Sequence, residues 1–210
     1  MQLKIKVCGM RNSQNILELA KLKPDYIGFI FYAKSPRYAA SLDKAVLALL
    51  PASIKKVGIF VNESVEIMLE TATKYSLNAL QLHGNETAIE CLHLREKDYT
   101  IIKAFSIEEA IDFEKLTDYE GACDYFLFDT KTPQHGGSGL KFDWSLLENY
   151  KGNTPFFLSG GIGLDDVEAI KQITHPQFVA IDINSKFETE PGFKDIEKVK
   201  TFKERLTVND

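Results

Sequence analysis

Cys8 and Asp129 lie far apart in the chain, yet each stands where an apolar strand pattern ends and a loop begins. Cys8 closes Leu3-Lys4-Ile5-Lys6-Val7 and precedes Gly9, while Asp129 closes Tyr125-Phe126-Leu127-Phe128 and precedes a glycine-rich loop. A thiol that can lose a proton and a carboxyl that can carry one are the two halves of general acid–base chemistry. If both strands belong to one closed parallel barrel, the two side chains meet at its rim. Each residue alone also has a plainer reading, Cys8 as inert core and Asp129 as an N-cap or loop carboxylate. Strand alternation puts Lys6 on the same face as Cys8, in a barrel the interior, next to the strand that holds Asp182. There the ammonium would depress the thiol pKa, or form a buried ion pair with Asp182 that has no catalytic part. Asp129 is expected in Phe-rich surroundings, where desolvation raises a carboxyl pKa and suits it to act as an acid.

Such a meeting needs particular elements to position it. Residues 3–8, 26–30, 56–61, 79–83, 100–105, 125–129, 156–159 and 178–182 read as strands rich in Ile, Val, Phe and Leu. Between them, 13–22, 42–50, 64–75, 87–97, 107–116, 165–173 and 194–206 carry helical spacing, with Ser13, Ser41 and Ser64 as capping residues and a shorter helix at 143–149. Eight βα units predict one (β/α)₈ barrel over residues 1–210, near the short end of a size range that starts at roughly 200 residues. A doubly wound open sheet is the alternative. In the barrel, the carboxyl ends of the strands carry the active site.

Other residues at those ends can be sorted by chemistry. Ser159-Gly160-Gly161-Ile162-Gly163 follows strand seven and Asn184-Ser185 follows strand eight, the pair of loops from which barrels frequently build a phosphate site. The glycines could instead only make tight turns. Arg37, in Lys34-Ser35-Pro36-Arg37-Tyr38, offers a bidentate fork to a carboxylate, or is a solvated surface charge. Gln81 and His83 share one face of strand four and would line the barrel mouth, although His83 also reads as a satisfied structural histidine. His135-Gly136-Gly137-Ser138-Gly139 can fold closely over a ligand. Cys91 and Cys123 read as structural, and no His or carboxylate cluster has metal-ligand spacing.

Composition bounds the classes. The 210 residues are 44% hydrophobic and 26% charged, enough for one globular core. A net charge of −5 disfavours a general nucleic-acid surface, but not a small anionic substrate. No apolar stretch approaches the roughly 20 residues that span a bilayer, and strand one starts too early for a signal peptide, so a cytoplasmic protein is expected. Three cysteines without C-x-x-C spacing argue for reduced thiols. Monomer and homodimer both remain open.

Taken together, Lys6-Val7-Cys8-Gly9, Ser35-Pro36-Arg37-Tyr38, Val57-Gly58-Ile59-Phe60-Val61-Asn62, Gln81-Leu82-His83-Gly84, Phe128-Asp129-Thr130, Gly136-Gly137-Ser138-Gly139, Ser159-Gly160-Gly161-Ile162 and Asp182-Ile183-Asn184-Ser185 closely resemble the phosphoribosylanthranilate isomerases. The matches run in order across nearly the whole chain. The resemblance implies an Amadori rearrangement of N-(5-phosphoribosyl)anthranilate to 1-(2-carboxyphenylamino)-1-deoxyribulose 5-phosphate, in tryptophan biosynthesis, with neither metal nor organic cofactor. It casts Asp129 as the general acid and Cys8 as the general base. Arg37 would hold the anthranilate carboxylate, and Gly160, Gly161, Asn184 and Ser185 would surround the phosphate. Gln81, His83, Gly139 and Asp182 would complete the substrate site. One departure stands out: where the family pattern usually has a glycine after Asn184-Ser185, this chain has Lys186, whose ammonium is expected to contact the phosphate or screen its charge.

Two rivals follow from the same residues. A histidine-pathway isomerase performs a similar rearrangement, but its family uses two aspartates, against Cys8 here. A catalytically silent barrel would bind a phosphorylated ligand without turning it over, against the intact Cys8 and Asp129.

Overall fold

The computed structural model describes residues 3–107, 113–130 and 141–207. Eight parallel strands, β1 (Lys4–Val7), β2 (Tyr26–Ile30), β3 (Lys55–Phe60), β4 (Ala79–Leu82), β5 (Thr100–Ile107), β6 (Tyr125–Thr130), β7 (Phe156–Leu158) and β8 (Phe178–Ile183), close into a ring in sequence order. The ring is sealed by β1 against β8, with Lys6 opposite Asp182, so the open-sheet alternative is excluded. The apolar runs are continuous because strands of a barrel are buried on both faces. Three polar side chains tie its amino-terminal end. Asp25, Asn78 and Asp124, each just before an even-numbered strand, accept from the backbone N–H of Ile5, Lys56 and Ile101 on the preceding odd one.

Strand alternation divides the core in two. Inside the barrel lie Val57, Ile59, Ala79, Ile102, Ala104, Leu127, Phe157 and Ala180. Outside, Phe126, Phe128, Tyr150 and Phe156 belong to the larger cluster between strands and helices, with ring centroids 5.0 to 6.3 Å apart. Burying each such ring contributes roughly 1.5–3 kcal/mol. This alternation corrects one expectation: Phe126 and Phe128 point away from Asp129, which shares the inner face with Leu127.

The outer layer comprises α1 (Ser13–Lys21), α2 (Lys44–Ala48), α3 (Val65–Tyr75), α4 (Ala88–Arg95), α5 (Val167–Lys171) and α6 (Ile196–Thr207), with short 3₁₀ helices between them. Ser64 caps α3 as expected, accepting from Ile67 N. Ser13 and Ser41 do not cap: Asn12 takes that place for α1 and Asp43 for α2, where a carboxamide or carboxylate one or two residues away already satisfies the first-turn donor. The helix expected over 107–116 is also different. Ile107 still belongs to β5, residues 108–112 lie outside the described segments, and Phe113–Tyr119 is a 3₁₀ helix. The short segment at 143–149 is likewise 3₁₀, over Trp144–Asn149. An element absent from the sequence reading follows β8, a hairpin of β9 (Glu188–Glu190) and β10 (Phe193–Lys194). Among the described residues, no helix is long and apolar enough to cross a membrane.

Candidate active site

The carboxyl ends of the strands surround a cavity of about 530 Å³, within the size range of small-molecule sites. Cys8, Arg37, Gln81, His83, Asp129, Gly160, Gly161, Asp182, Asn184 and Ser185 all line it. Gly139 lies outside the described residues. Lys186 is exposed and is not among the lining residues; its stem runs beside Gly163, about 3.8 Å from where a Cβ there would sit. Tyr32 and Lys34 are lining residues that the sequence reading did not single out. Their place in the loop after β2, beside Arg37, was the available signal.

Cys8 continues the β1 ladder, its N–H donating to Ile183 O at 2.9 Å. Gly28 on β2 makes room for it, since a Cβ at that position would stand 3.2 Å from both Cα and Sγ of Cys8. Beneath it, Lys6 Nζ donates to Asp182 Oδ2 at 2.8 Å, and the lysine is fully buried. Burial alone would discharge this lysine, but Asp182 and then Cys8 outweigh it and hold the ammonium above its ordinary value. The thiol behaves otherwise. Burial pushes Cys8 above its ordinary pKa, and the opposing pull of Lys6 does not reverse this. Of the two readings of Lys6, the buried pair with Asp182 is the one formed, and the thiol is not depressed: desolvation, with Asp182 adding to it, outweighs the ammoniums of Lys6 and Lys194.

Asp129 stands across the mouth at the end of β6. Its Oδ1 accepts from Thr130 N at 2.9 Å, and its Oδ2 faces His83 Nε2 at 3.4 Å. His83 Nδ1 lies 2.9 Å from Gln81 Nε2, and the tautomer with its proton on Nε2 would accept from that amide and turn its N–H toward the carboxyl. Two buried oxygens in the cavity wall, Gln81 Oε1 and Asp182 Oδ1, have no hydrogen-bond partner among the described residues. They are acceptors suited to the hydroxyls of a polar ligand.

The wall beside Asp129, from the loop after β7, is backbone-rich. Gly160 and Gly161 have φ of +95° and +62°, a region costly for side chains. A Cβ at Gly160 would lie 2.2 Å from Thr130 Oγ1 and 2.7 Å from Thr130 N, one residue from Asp129. Gly160→Ala is accordingly expected to lower kcat/KM about tenfold or more, from strain of about 1–3 kcal/mol. Gly163→Ala, whose methyl would meet only ordinary contacts at 3.8 Å, is the control. Equal kinetics for both variants would refute the close-approach reading.

Arg37 enters from the loop after β2, which is fastened by Ala39 N donating to Ile30 O and Arg37 N donating to Ser35 Oγ. Its guanidinium is neither solvated nor free: Nε and Nη2 clasp Glu188 of β9. Lys194 of β10 joins the same carboxylate and also donates to Asn184 Oδ1 at 2.8 Å. Arg37 and Lys194 hold the Glu188 carboxyl below its ordinary value although burial works to raise it. Elsewhere, Cys91 and Cys123 are buried neighbours in the outer layer, as the structural reading expected. Among the described residues, no group of three or more His, Cys, Asp or Glu side chains could hold a metal ion.

Comparison with known proteins places the chain as a whole. The family model for N-(5'-phosphoribosyl)anthranilate (PRA) isomerase matches residues 5–205. The N-(5'-phosphoribosyl)anthranilate isomerase of Parabacteroides distasonis is 52% identical over 204 residues, which is 96% of this chain and 92% of that protein. A crystal structure of a phosphoribosyl anthranilate isomerase in complex with reduced 1-(o-carboxyphenylamino)-1-deoxyribulose 5-phosphate superposes with a TM-score of 0.83 at 31% identity, covering 98% of each chain. Monomers of the dimeric phosphoribosylanthranilate isomerase from Thermotoga maritima give 0.81 at 32% identity, also covering 98% of each.

Proposed function

Because the chain belongs to the N-(5'-phosphoribosyl)anthranilate isomerase family of tryptophan biosynthesis, we propose that its barrel mouth carries out the Amadori rearrangement with Asp129 as general acid and Cys8 as general base. Asp129 gives its proton to the furanose ring oxygen as the bond from that oxygen to C1′ breaks, leaving an open-chain Schiff base. Cys8, as thiolate, takes the proton from C2′, and the electron pair of that C–H bond forms the enolamine. Tautomerisation moves the hydroxyl proton at C2′ to C1′ and gives the ketone. The sequence consumes no oxidant or external nucleophile, only one group that gives a proton and one that takes it.

The observation that carries this reading is that a thiol and a carboxyl line the same cavity, between a wall of left-handed glycines and an arginine. The substrate of the family has matching ends. We assign its phosphate to Gly160, Gly161, Asn184 and Ser185, and its ring carboxylate to Arg37. Gln81, His83 and Asp182 offer polar atoms to the ribulose hydroxyls between them. Gly139, outside the described residues, is assigned to the substrate site from the sequence resemblance alone. The enzyme is expected to act in the cytoplasm, as monomer or homodimer, without metal or organic cofactor.

The test is a coupled assay in which phosphoribosylanthranilate is made in place from anthranilate and phosphoribosyl pyrophosphate, and its fluorescence decay is followed. Decay well above the spontaneous rate is the expected result. A rate no better than background, from folded protein, would defeat the proposal.

Lys186 takes a lesser part. From its exposed place beside Gly163 it screens the phosphate across solvent, an effect worth at most about 1 kcal/mol and sensitive to salt. Lys186→Gly should therefore raise KM by about two- to fivefold at low ionic strength, and the difference should vanish at high salt. An unchanged KM at low salt would remove Lys186 from the site.

A further inference from the structure

A guanidinium has five N–H donors on two usable edges, and which edge faces a ligand decides whether the fork can grip a carboxylate. In Arg37 one edge is already spent. Nε donates to Glu188 Oε1 and Oε2 at 2.9 and 3.0 Å, and Nη2 donates to Oε2 at 2.7 Å. The edge formed by Nη1 and the second Nη2 hydrogen is the one left for a ligand, and Arg37 is a lining residue of the cavity while Glu188 and Lys194 are not.

Glu188 is itself held from behind. Lys194 Nζ donates to its Oε1 at 2.5 Å and Gly192 N at 3.1 Å, so the carboxylate has little freedom to turn. Lys194 is pinned in its turn by buried Asn15 of α1, which accepts from its backbone N–H at 2.7 Å and donates to its carbonyl at 2.9 Å. A buried ion pair is seldom needed for stability, because apolar side chains of the same volume often serve as well. Its use here lies in what it holds.

We propose that Glu188 and Lys194 are positioning residues which fix the guanidinium of Arg37 so that its Nη1–Nη2 edge meets the carboxylate on the substrate's aromatic ring, and thereby set selectivity for a carboxylated ring. This deepens the reading of Arg37 as the carboxylate holder and rests on it. The proposal separates cleanly from simple electrostatics. Arg37, Lys194 and Glu188 together carry a net charge of +1 when all are ionised. Removing the glutamate charge raises it to +2 if Lys194 stays an ammonium, and leaves it at +1 if that buried lysine, lowered by burial and held up chiefly by Glu188, sheds its proton. Coulomb attraction alone then predicts binding of an anion to Glu188→Gln that is tighter or unchanged, whereas loss of positioning predicts weaker binding.

The experiment titrates wild type and Glu188→Gln with reduced 1-(o-carboxyphenylamino)-1-deoxyribulose 5-phosphate, and with its counterpart lacking the ring carboxylate. Wild type should favour the carboxylated compound by about tenfold or more, as expected for charge-assisted hydrogen bonds. Glu188→Gln should erase most of that preference while changing affinity for the other compound by less than about twofold. In turnover, KM should rise about tenfold with kcat nearly unchanged, because Arg37 does not touch the reacting atoms. A general structural role would weaken both compounds alike and overturn the proposal, as would a preference that is kept or increased. Wild type that does not distinguish the two compounds would instead overturn the reading of Arg37 itself. Glu188→Asp, which keeps the charge and hence the fold but draws the carboxylate back by one methylene, provides the second variant. It should lose several-fold of the preference, and a wild-type ratio there would refute the role.

Discussion

Cys8→Ala should lower kcat by about 10²–10⁴, the usual scale for a positioned acid or base, while leaving the cavity able to bind a phosphorylated product analogue. The wild-type pH profile should identify the same group. Because burial raises the Cys8 thiol above its ordinary value of 9.0, the thiol is protonated at neutral pH and the thiolate is the minor form. Both kcat/KM and the rate of Cys8 alkylation by iodoacetamide should thus climb with pH across neutrality and beyond 9. The rarity of the thiolate is offset by its strength, since a base of higher pKa removes a carbon-bound proton more readily. The same shift bears on stability. A group that binds its proton more tightly when folded contributes stability that is intact below its unfolded pKa, so the Cys8 contribution declines as pH rises past about 9 and is lost above the folded value. A plateau in kcat/KM already reached below pH 7, or near-normal turnover by Cys8→Ala, would remove Cys8 from the base role.

Asp129→Asn should cost a similar factor of about 10²–10⁴ in kcat. Asparagine keeps an oxygen for Thr130 N and sets an amide NH2 against His83 Nε2, which can accept it once the ring proton moves to Nδ1 and Gln81 turns its oxygen there, so the fold around β6 survives and ligand affinity should change only several-fold. What it lacks is a proton to give to the ring oxygen. The double variant should be little worse than the poorer single one, because an acid and a base that act on one reaction path are not additive. Retention of more than about a tenth of wild-type turnover by Asp129→Asn, in protein purified free of host enzyme, would contradict the assignment.

Most of the barrel was legible because a strand buried on two faces writes its length directly as an apolar run, and the residue after each run becomes a rim residue. Cys8, His83 and Asp129 could be placed on one rim by that rule alone, and Lys6 opposite Asp182 by alternation. Helix ends were less readable where several capping residues compete, as at Asn12 and Ser13. The segment 107–116 carries helical spacing, yet β5 runs on to Ile107 and Phe113–Tyr119 is 3₁₀, both packed against α4, a tertiary contact that local spacing does not display. The pairing of Arg37 with Glu188 was hidden for a different reason. Its partners are separated by 151 residues, and the hairpin that presents Glu188 is only a few residues long, too short to leave a periodic trace. The direction of the Cys8 shift is not legible in the sequence, which displays the nearby ammonium but not the depth at which both are buried.

The seal between β1 and β8 also fixes when the enzyme can first work during its own synthesis. Cys8 leaves the ribosome before the other seven strands, yet its neighbour Asp182 and the backbone that receives its N–H, at Ile183, belong to the strand that completes the ring. Asn184, Glu188 and Lys194 follow later still. A nascent chain with seven strands exposed has Cys8 and Asp129 but an open seam beside Cys8, where water reaches the thiol and no carboxylate faces Lys6. Chemistry in this protein is therefore a property of the finished ring, and a ribosome stalled before β8 should display a thiol that alkylates as readily as an ordinary exposed cysteine.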